Sequence, residues 1–153
     1  MTPPPGAIRG KLPPRQAPQL CALAGEPPEG ADWVSEIKFD GYRLLALLEA
    51  GAVRLLTRNG LDWRERLPAV ARAVAALPAR AALLDGELVA LRPDGVSSFP
   101  DLQAALSAGH DGGLAFFLFD LLHLDGWDFR PCGLLARKRR LAPLGKWNGL
   151  LRY

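Results

Sequence analysis

Glu36-Ile37-Lys38-Phe39-Asp40-Gly41-Tyr42-Arg43 is the segment whose residue types and spacing most suggest chemistry. A glutamate and a lysine two residues apart project to one face of an extended strand. Gly41 lets a ligand approach the backbone closely. Arg43 carries a guanidinium fork of the kind that grips phosphates, and Arg58 places a second one at a strand end beside the Asn59-Gly60 turn. Asp85 and Glu87 flank Gly86 inside an otherwise apolar run. A carboxylate in a buried strand is costly unless paired or metal-bound, so Glu87 needs a partner. Phe119, within Phe117-Leu118-Phe119-Asp120-Leu121-Leu122, has a ring that could cover a base, although an aromatic in an apolar strand reads first as core. Taken singly these features have ordinary readings: a strand end, a turn, solvated cations. Together they offer an amine, phosphate-gripping forks, acids for a metal and a ring for a base.

A sheet is needed to hold such a set. Alternation from Trp33 to Lys38 predicts a half-buried strand that enters a loop at the lysine. Tyr42 to Leu48 and Val53 to Thr57 predict a hairpin around Glu49-Ala50-Gly51-Ala52. Asp62 is expected to cap a helix with Leu67, Val70, Ala71, Val74 and Leu77 on one face. Ala81 to Leu91 reads as a buried strand closed by Pro93-Asp94-Gly95. Ser98 as cap, with Pro100 in the first turn, opens a helix to about Ser107. Leu114 to Leu122 is the most apolar strand, Leu134 to Leu141 a basic helix, and Leu150 to Tyr153 the start of another strand. Hairpins with interspersed helices give an α+β class, mainly antiparallel sheets flanked by helices. Residues 1–30 hold more than half of the fourteen prolines and read as an extended lead-in or linker, with residues 31–153 forming the ordered part.

The chain of 153 residues, 49% hydrophobic and 23% charged, is one ordinary globular domain or most of one. A net charge of +3 points only weakly to nucleic acid, because the arginine bias also fits GC-rich codon usage. Cys21 and Cys132 form no metal-binding or disulfide pattern. No apolar run approaches the ~20 residues that span a bilayer, and no secretory segment opens the chain. A cytoplasmic, soluble monomer is expected.

E-x-K-x-D-G-x-R, R-N-G, D-G-E and F-D-L-L, in this order, resemble the motifs of the covalent nucleotidyltransferases: DNA ligases, RNA ligases and mRNA capping enzymes. The likeness spans about residues 18–153. It is closest to the ligase domain of the bacterial end-joining ligases of the ligase D family, through E-I-K-F-D-G-Y-R, L-L-T-R-N-G-L-D-W, L-L-D-G-E-L-V and F-D-L-L-H-L-D-G.

That resemblance implies an ATP-dependent DNA ligase adenylation-domain fold, incomplete at its C-terminal end. It makes Lys38 the nucleophile that takes AMP from ATP and expels pyrophosphate. The amine attacks only when neutral, which nearby cations such as Arg43 or a bound metal would favour. Glu36 and the backbone of Ile37 would lie at the adenine, with Phe119 stacked on it. Arg43 and Arg58 would hold ribose and phosphates, and Glu87 the ribose or a metal. Asp40 would share that Mg²⁺ or Mn²⁺. AMP would pass to the 5′-phosphate of nicked double-stranded DNA, for repair, recombination and non-homologous end joining. Arg58, Arg137, Lys138, Arg139 and Arg140 are the candidate DNA contacts, and a Ku-like end-binding protein is an implied partner. The family's E-G-x-V and K-x-K segments and its small β-barrel domain would lie beyond Tyr153, so this chain alone is expected to form lysyl-AMP poorly or not at all and not to seal nicks. An RNA ligase or capping enzyme, or a non-catalytic remnant that binds nucleotide or DNA, are the alternatives.

Overall fold

The structure is a computed structural model and describes residues 2–153. Its strands are β1 (Ile8–Arg9), β2 (Tyr42–Glu49), β3 (Ala52–Thr57), β4 (Ala81–Ala90), β5 (Leu114–Leu124), β6 (Trp127–Asp128) and β7 (Leu151–Arg152). They join in one sheet of order β1-β6-β5-β4-β2-β3, antiparallel throughout, while β7 runs parallel to β5 beside Phe116 and Phe117. Helices α1 (Pro68–Ala75), α2 (Phe99–Ser107) and α3 (Leu134–Leu141) complete the α+β architecture.

Strand alternation gives the sheet two unlike faces. Leu44, Ala46 and Leu48 of β2, Leu84 and Leu88 of β4, and Phe116, Leu118 and Leu121 of β5 share one buried cluster with Leu67, Val70 and Val74. Each buried leucine, valine or phenylalanine among them contributes about 2 kcal/mol by leaving water, which makes this cluster the principal core. On the other face Arg43, Leu45 and Leu47 stand opposite Glu87, Asp85 and Leu83, since cross-strand partners point the same way. One end of that face is polar. At the other end Leu45, Leu47, Leu56 and Leu83 form a smaller cluster, against which Leu12 of the lead-in packs.

Most elements sit where the sequence puts them. The hairpin, the Ser98 cap and α3 match expectation, and the Ser98 hydroxyl accepts from the Asp101 amide. Two expectations fail. Trp33 to Lys38 forms no strand, and Trp33, Val34 and Ile37 are exposed. Alternation alone does not make a strand where no sheet edge is there to pair with. Asp62 does not cap α1, whose side-chain cap is missing at Leu67. Its carboxylate instead accepts from the Leu55 and Arg64 amides, while distant Asp111 accepts from Ala69 and Val70 at the helix start.

The lead-in is more than a tail. Ile8 and Arg9 pair with β6, the Gly10 carbonyl meets His123 Nε2 at 3.1 Å, Arg54 donates to the Pro14 carbonyl and Arg130 to the Gln16 side chain. Among the described residues no helix is long and apolar enough to cross a membrane.

Candidate active site

The polar end of the open face is built by β2, β4 and β5 side by side. Arg43 lies at the start of β2 and donates Nε and Nη2 to the two oxygens of Asp85, at 2.5 and 2.8 Å. Asp85 is 3% exposed. Burial pushes its carboxyl up, against the pull of Arg43. Although burial weakens the Arg43 cation, Asp85 and Glu87 together raise it above its ordinary value. The buried acid that needed a cation is therefore met, but it is Asp85; Glu87 has no ion-pair partner among the described residues.

Glu87 is the register partner of Arg43 across the strands. Burial pushes its carboxyl up to about 7, and its other influences, in falling order, are Arg43, Asp85, Lys38 and Asp40. Lys38 is thus within electrostatic reach of Glu87. It stands on an exposed loop above the sheet, not at a buried strand end beside apolar strands.

Phe119 is placed by an irregularity. Asp85 pairs with Asp120 and Gly86 with Leu118, so Phe119 is an extra residue opposite no partner, a β-bulge. Without it Phe119 and Asp120 would point to opposite faces; with it both serve the open one. The Arg43 guanidinium lies over the Phe119 ring, 4.4 Å from its centroid. Phe119 is half-buried and belongs to no core cluster.

The two motif glycines have a reason other than ligand access. A Cβ on Gly41 would lie 2.1 Å from the Leu88 carbonyl oxygen, and one on Gly86 would lie 2.4 Å from that of Phe117. What comes close to Gly41 is therefore strand β4, where a ligand was expected.

Ile37 is 78% exposed, and Glu36 and Asp40 are exposed with it on the loop. Arg58 is exposed at the tip of the turn that follows β3, at the same end of the sheet as Arg43. Residues 137–140 do not form one free basic face. Arg137, 14% exposed, donates to both oxygens of Asp120 and to the Cys132 carbonyl. Lys138 donates to the Phe119 carbonyl and pairs with Glu36, and Arg140 donates to the Thr2 carbonyl. Of the four, Arg139 alone is exposed, the other three being partly buried. Sequence reasoning missed the inward role of Arg137 and Lys138; the acid that answers Arg137, Asp120, lay in a quoted motif.

Among the described residues no group of three or more His, Cys, Asp or Glu gathers round a metal position. Asp40 and Glu87 do lie near enough for their charges to oppose each other. Such a pair suits magnesium, which takes its remaining oxygens from water and substrate phosphates. The concavities at Glu49, Arg80 and Asp125 and at Pro3 to Pro5 with Arg139 and Arg140 lie away from this group.

Residues 22–145 match the family described as ATP dependent DNA ligase domain. The multifunctional non-homologous end joining protein LigD of Pseudomonas aeruginosa is 45% identical over 141 residues, covering 91% of this chain and 17% of that protein. A DNA ligase of Pyrobaculum calidifontis is 33% identical, covering 78% of this chain and 22% of its own. Among solved structures, the ligase domain from M. tuberculosis LigD superposes with a TM-score of 0.59 at 38% identity, covering 71% of this chain and 36% of that one. A mycobacterial DNA ligase D complexed with ATP and MES gives the same TM-score of 0.59, with 35% of its length covered. The chain therefore spans about a sixth of the Pseudomonas relative and about a third of the solved ligase domain. With its ordered motifs brought to one end of an antiparallel sheet, the chain belongs to the family of ATP-dependent DNA ligase domains.

Proposed function

We propose that this chain is the nucleotide-binding part of an ATP-dependent DNA ligase in which Lys38 takes AMP from ATP. Residues 31–153 are then the N-terminal part of the adenylation domain, and residues 1–30 lead into it. One observation carries the reading: Arg43 pairs with Asp85 and lies over the Phe119 ring, and Lys38 acts with Arg43 on the charge of neighbouring Glu87.

Neutral Lys38 attacks the α-phosphorus. An N–P bond forms, the bond from that phosphorus to the bridging oxygen breaks with its electron pair going to pyrophosphate, and the amine proton passes to solvent. The ion-paired Arg43 and the exposed Arg58 are the forks that hold the nucleotide. Phe119 and Glu36, with the Ile37 backbone, attend the base. Asp40 and Glu87 would hold Mg²⁺ or Mn²⁺, which neutralises the charge gathering on pyrophosphate. An oxygen of a DNA 5′-phosphate at a nick then attacks the AMP phosphorus and frees Lys38. The neighbouring 3′-hydroxyl displaces AMP and closes the strand. Bacterial end joining is the setting that the LigD likeness supports, and a monomer at the nucleoid with a Ku-like partner completes the proposal. Arg139, exposed on α3, is a candidate DNA contact.

The test is incubation with ATP labelled at the α-phosphate and Mg²⁺, beside protection of Lys38 by ATP from a lysine-acylating reagent. Weak, acid-labile label is expected, lost in Lys38→Ala and missing when the γ-phosphate carries the label. Label that survives Lys38→Ala, or a chain showing neither label nor protection, overturns the reading.

A further inference from the structure

The segment that carries Lys38 has no regular structure of its own. From residue 31 to residue 40 it forms neither helix nor strand, and nearly all of it is exposed. A nucleophile on such a segment would wander over several ångströms, and reaction rates fall steeply when the attacking atom is misplaced by even one. Three contacts hold the segment. At its end, the Asp40 amide donates to the Ser97 hydroxyl at 3.2 Å. Just before that, the Phe39 ring stacks on Phe117 of β5, with centroids 4.1 Å apart. On the other side of Lys38, Glu36 pairs with Lys138 of α3.

That last contact has unusual company. β5 is paired on its outer edge by β7 at Phe116 and Phe117 and by β6 at His123 and Leu124, with a gap between. Phe119, the bulged residue, falls in this gap, and the donor that reaches its carbonyl is the Lys138 ammonium, at 2.9 Å. One side chain, 16% exposed, therefore ties the lysine-bearing segment to the backbone of the ring expected under the base. A surface lysine–glutamate pair is worth little in stability. Here the lysine is shielded although Glu36 is 43% exposed, and the pair joins two parts of the site, so its worth lies in geometry.

We infer that Lys138 is a positioning residue: it fixes the distance between the Lys38 segment and Phe119 and so sets the width of the base slot. The role deepens the ligase reading and rests on it for its bearing on AMP transfer, whereas the tie itself can be tested without nucleotide.

The experiment measures ¹⁵N order parameters in the free chain for wild type, Lys138→Met, Lys138→Arg and Glu36→Gln. Amides 35–39 of the wild type should approach the rigid value of about 0.85, and Lys138→Met and Glu36→Gln should fall below about 0.6, with β4 unchanged. Lys138→Arg, which keeps a cation for Glu36 and a donor for the Phe119 carbonyl, should hold the order. Glu36→Gln leaves α3 untouched, so the question stays open to refutation even if Lys138→Met folds badly. Unchanged order in Glu36→Gln, a loss that spreads through β4, or a loss in Lys138→Arg as deep as in Lys138→Met overturns the tie. In the α-labelled ATP assay, Lys138→Met should slow lysyl-AMP formation about tenfold with ATP protection of Lys38 altered less than about threefold; equal loss of both would show a merely structural role. If the order parameters behave as expected while wild type shows neither label nor protection, it is the ligase reading that fails and not the tie.

Discussion

Glu87 faces Arg43, Asp85, Lys38 and Asp40, and burial outweighs the two cations, pushing its carboxyl from 4.5 up to about 7. Between those two pH values the folded chain keeps a proton that the unfolded chain has released. Stability therefore falls as pH rises through that window. Asp85, also raised by burial, adds to the slope, and the comparison with Glu87→Gln isolates the share of Glu87. The urea midpoint of wild type should drop between pH 5 and pH 7.5, and that of Glu87→Gln should drop less; parallel curves would contradict the assignment. At this scale the sequence was partly legible. D-G-E announced two acids inside an apolar strand, but which one takes the arginine depends on register, which a single strand does not reveal. Lys138 read as a surface cation for DNA because its acceptors, Glu36 and the Phe119 carbonyl, come from 102 and 19 residues away.

Among the elements, those written in local code were readable. Ser98 followed by Pro100 specifies its own helix start, and the leucine runs of β4 and β5 admit little but buried strands. Trp33 to Lys38 was misread because a strand is a relation between two segments, and alternation describes only one. The Asp62 cap failed likewise, since Asp111, 42 residues from Ala69, reaches the start of α1. Tight strand packing at the glycines leads to a firm expectation. In Gly86→Ala the new methyl would meet the Phe117 carbonyl at 2.4 Å, in the middle of the sheet. Backbone cannot yield there as a flexible side chain can, so a loss of about 2 kcal/mol or more in denaturant unfolding should follow. A cost below about 0.5 kcal/mol would mean that β4 and β5 are spaced more loosely than the structure has them.

For the molecule as a whole, the sheet has one face fully covered by helices and one face split between chemistry and the lead-in. Leu12 packs on the cluster of Leu45, Leu47, Leu56 and Leu83. Leu12→Asp should place an unpaired charge on that cluster and lower the thermal midpoint by several degrees; an unchanged midpoint would mean that the lead-in only drapes over the sheet. That docking was hidden in a proline-rich stretch without periodicity. Two of its anchors, at Gly10 and Pro14, are backbone carbonyls, which every residue type carries. Trp33, finally, is 62% exposed five residues ahead of Lys38, whereas Trp63, Trp127 and Trp147 are packed against the main core. Iodide would quench the emission of that one indole selectively, so events around the nucleophile can be followed by fluorescence without attaching any dye.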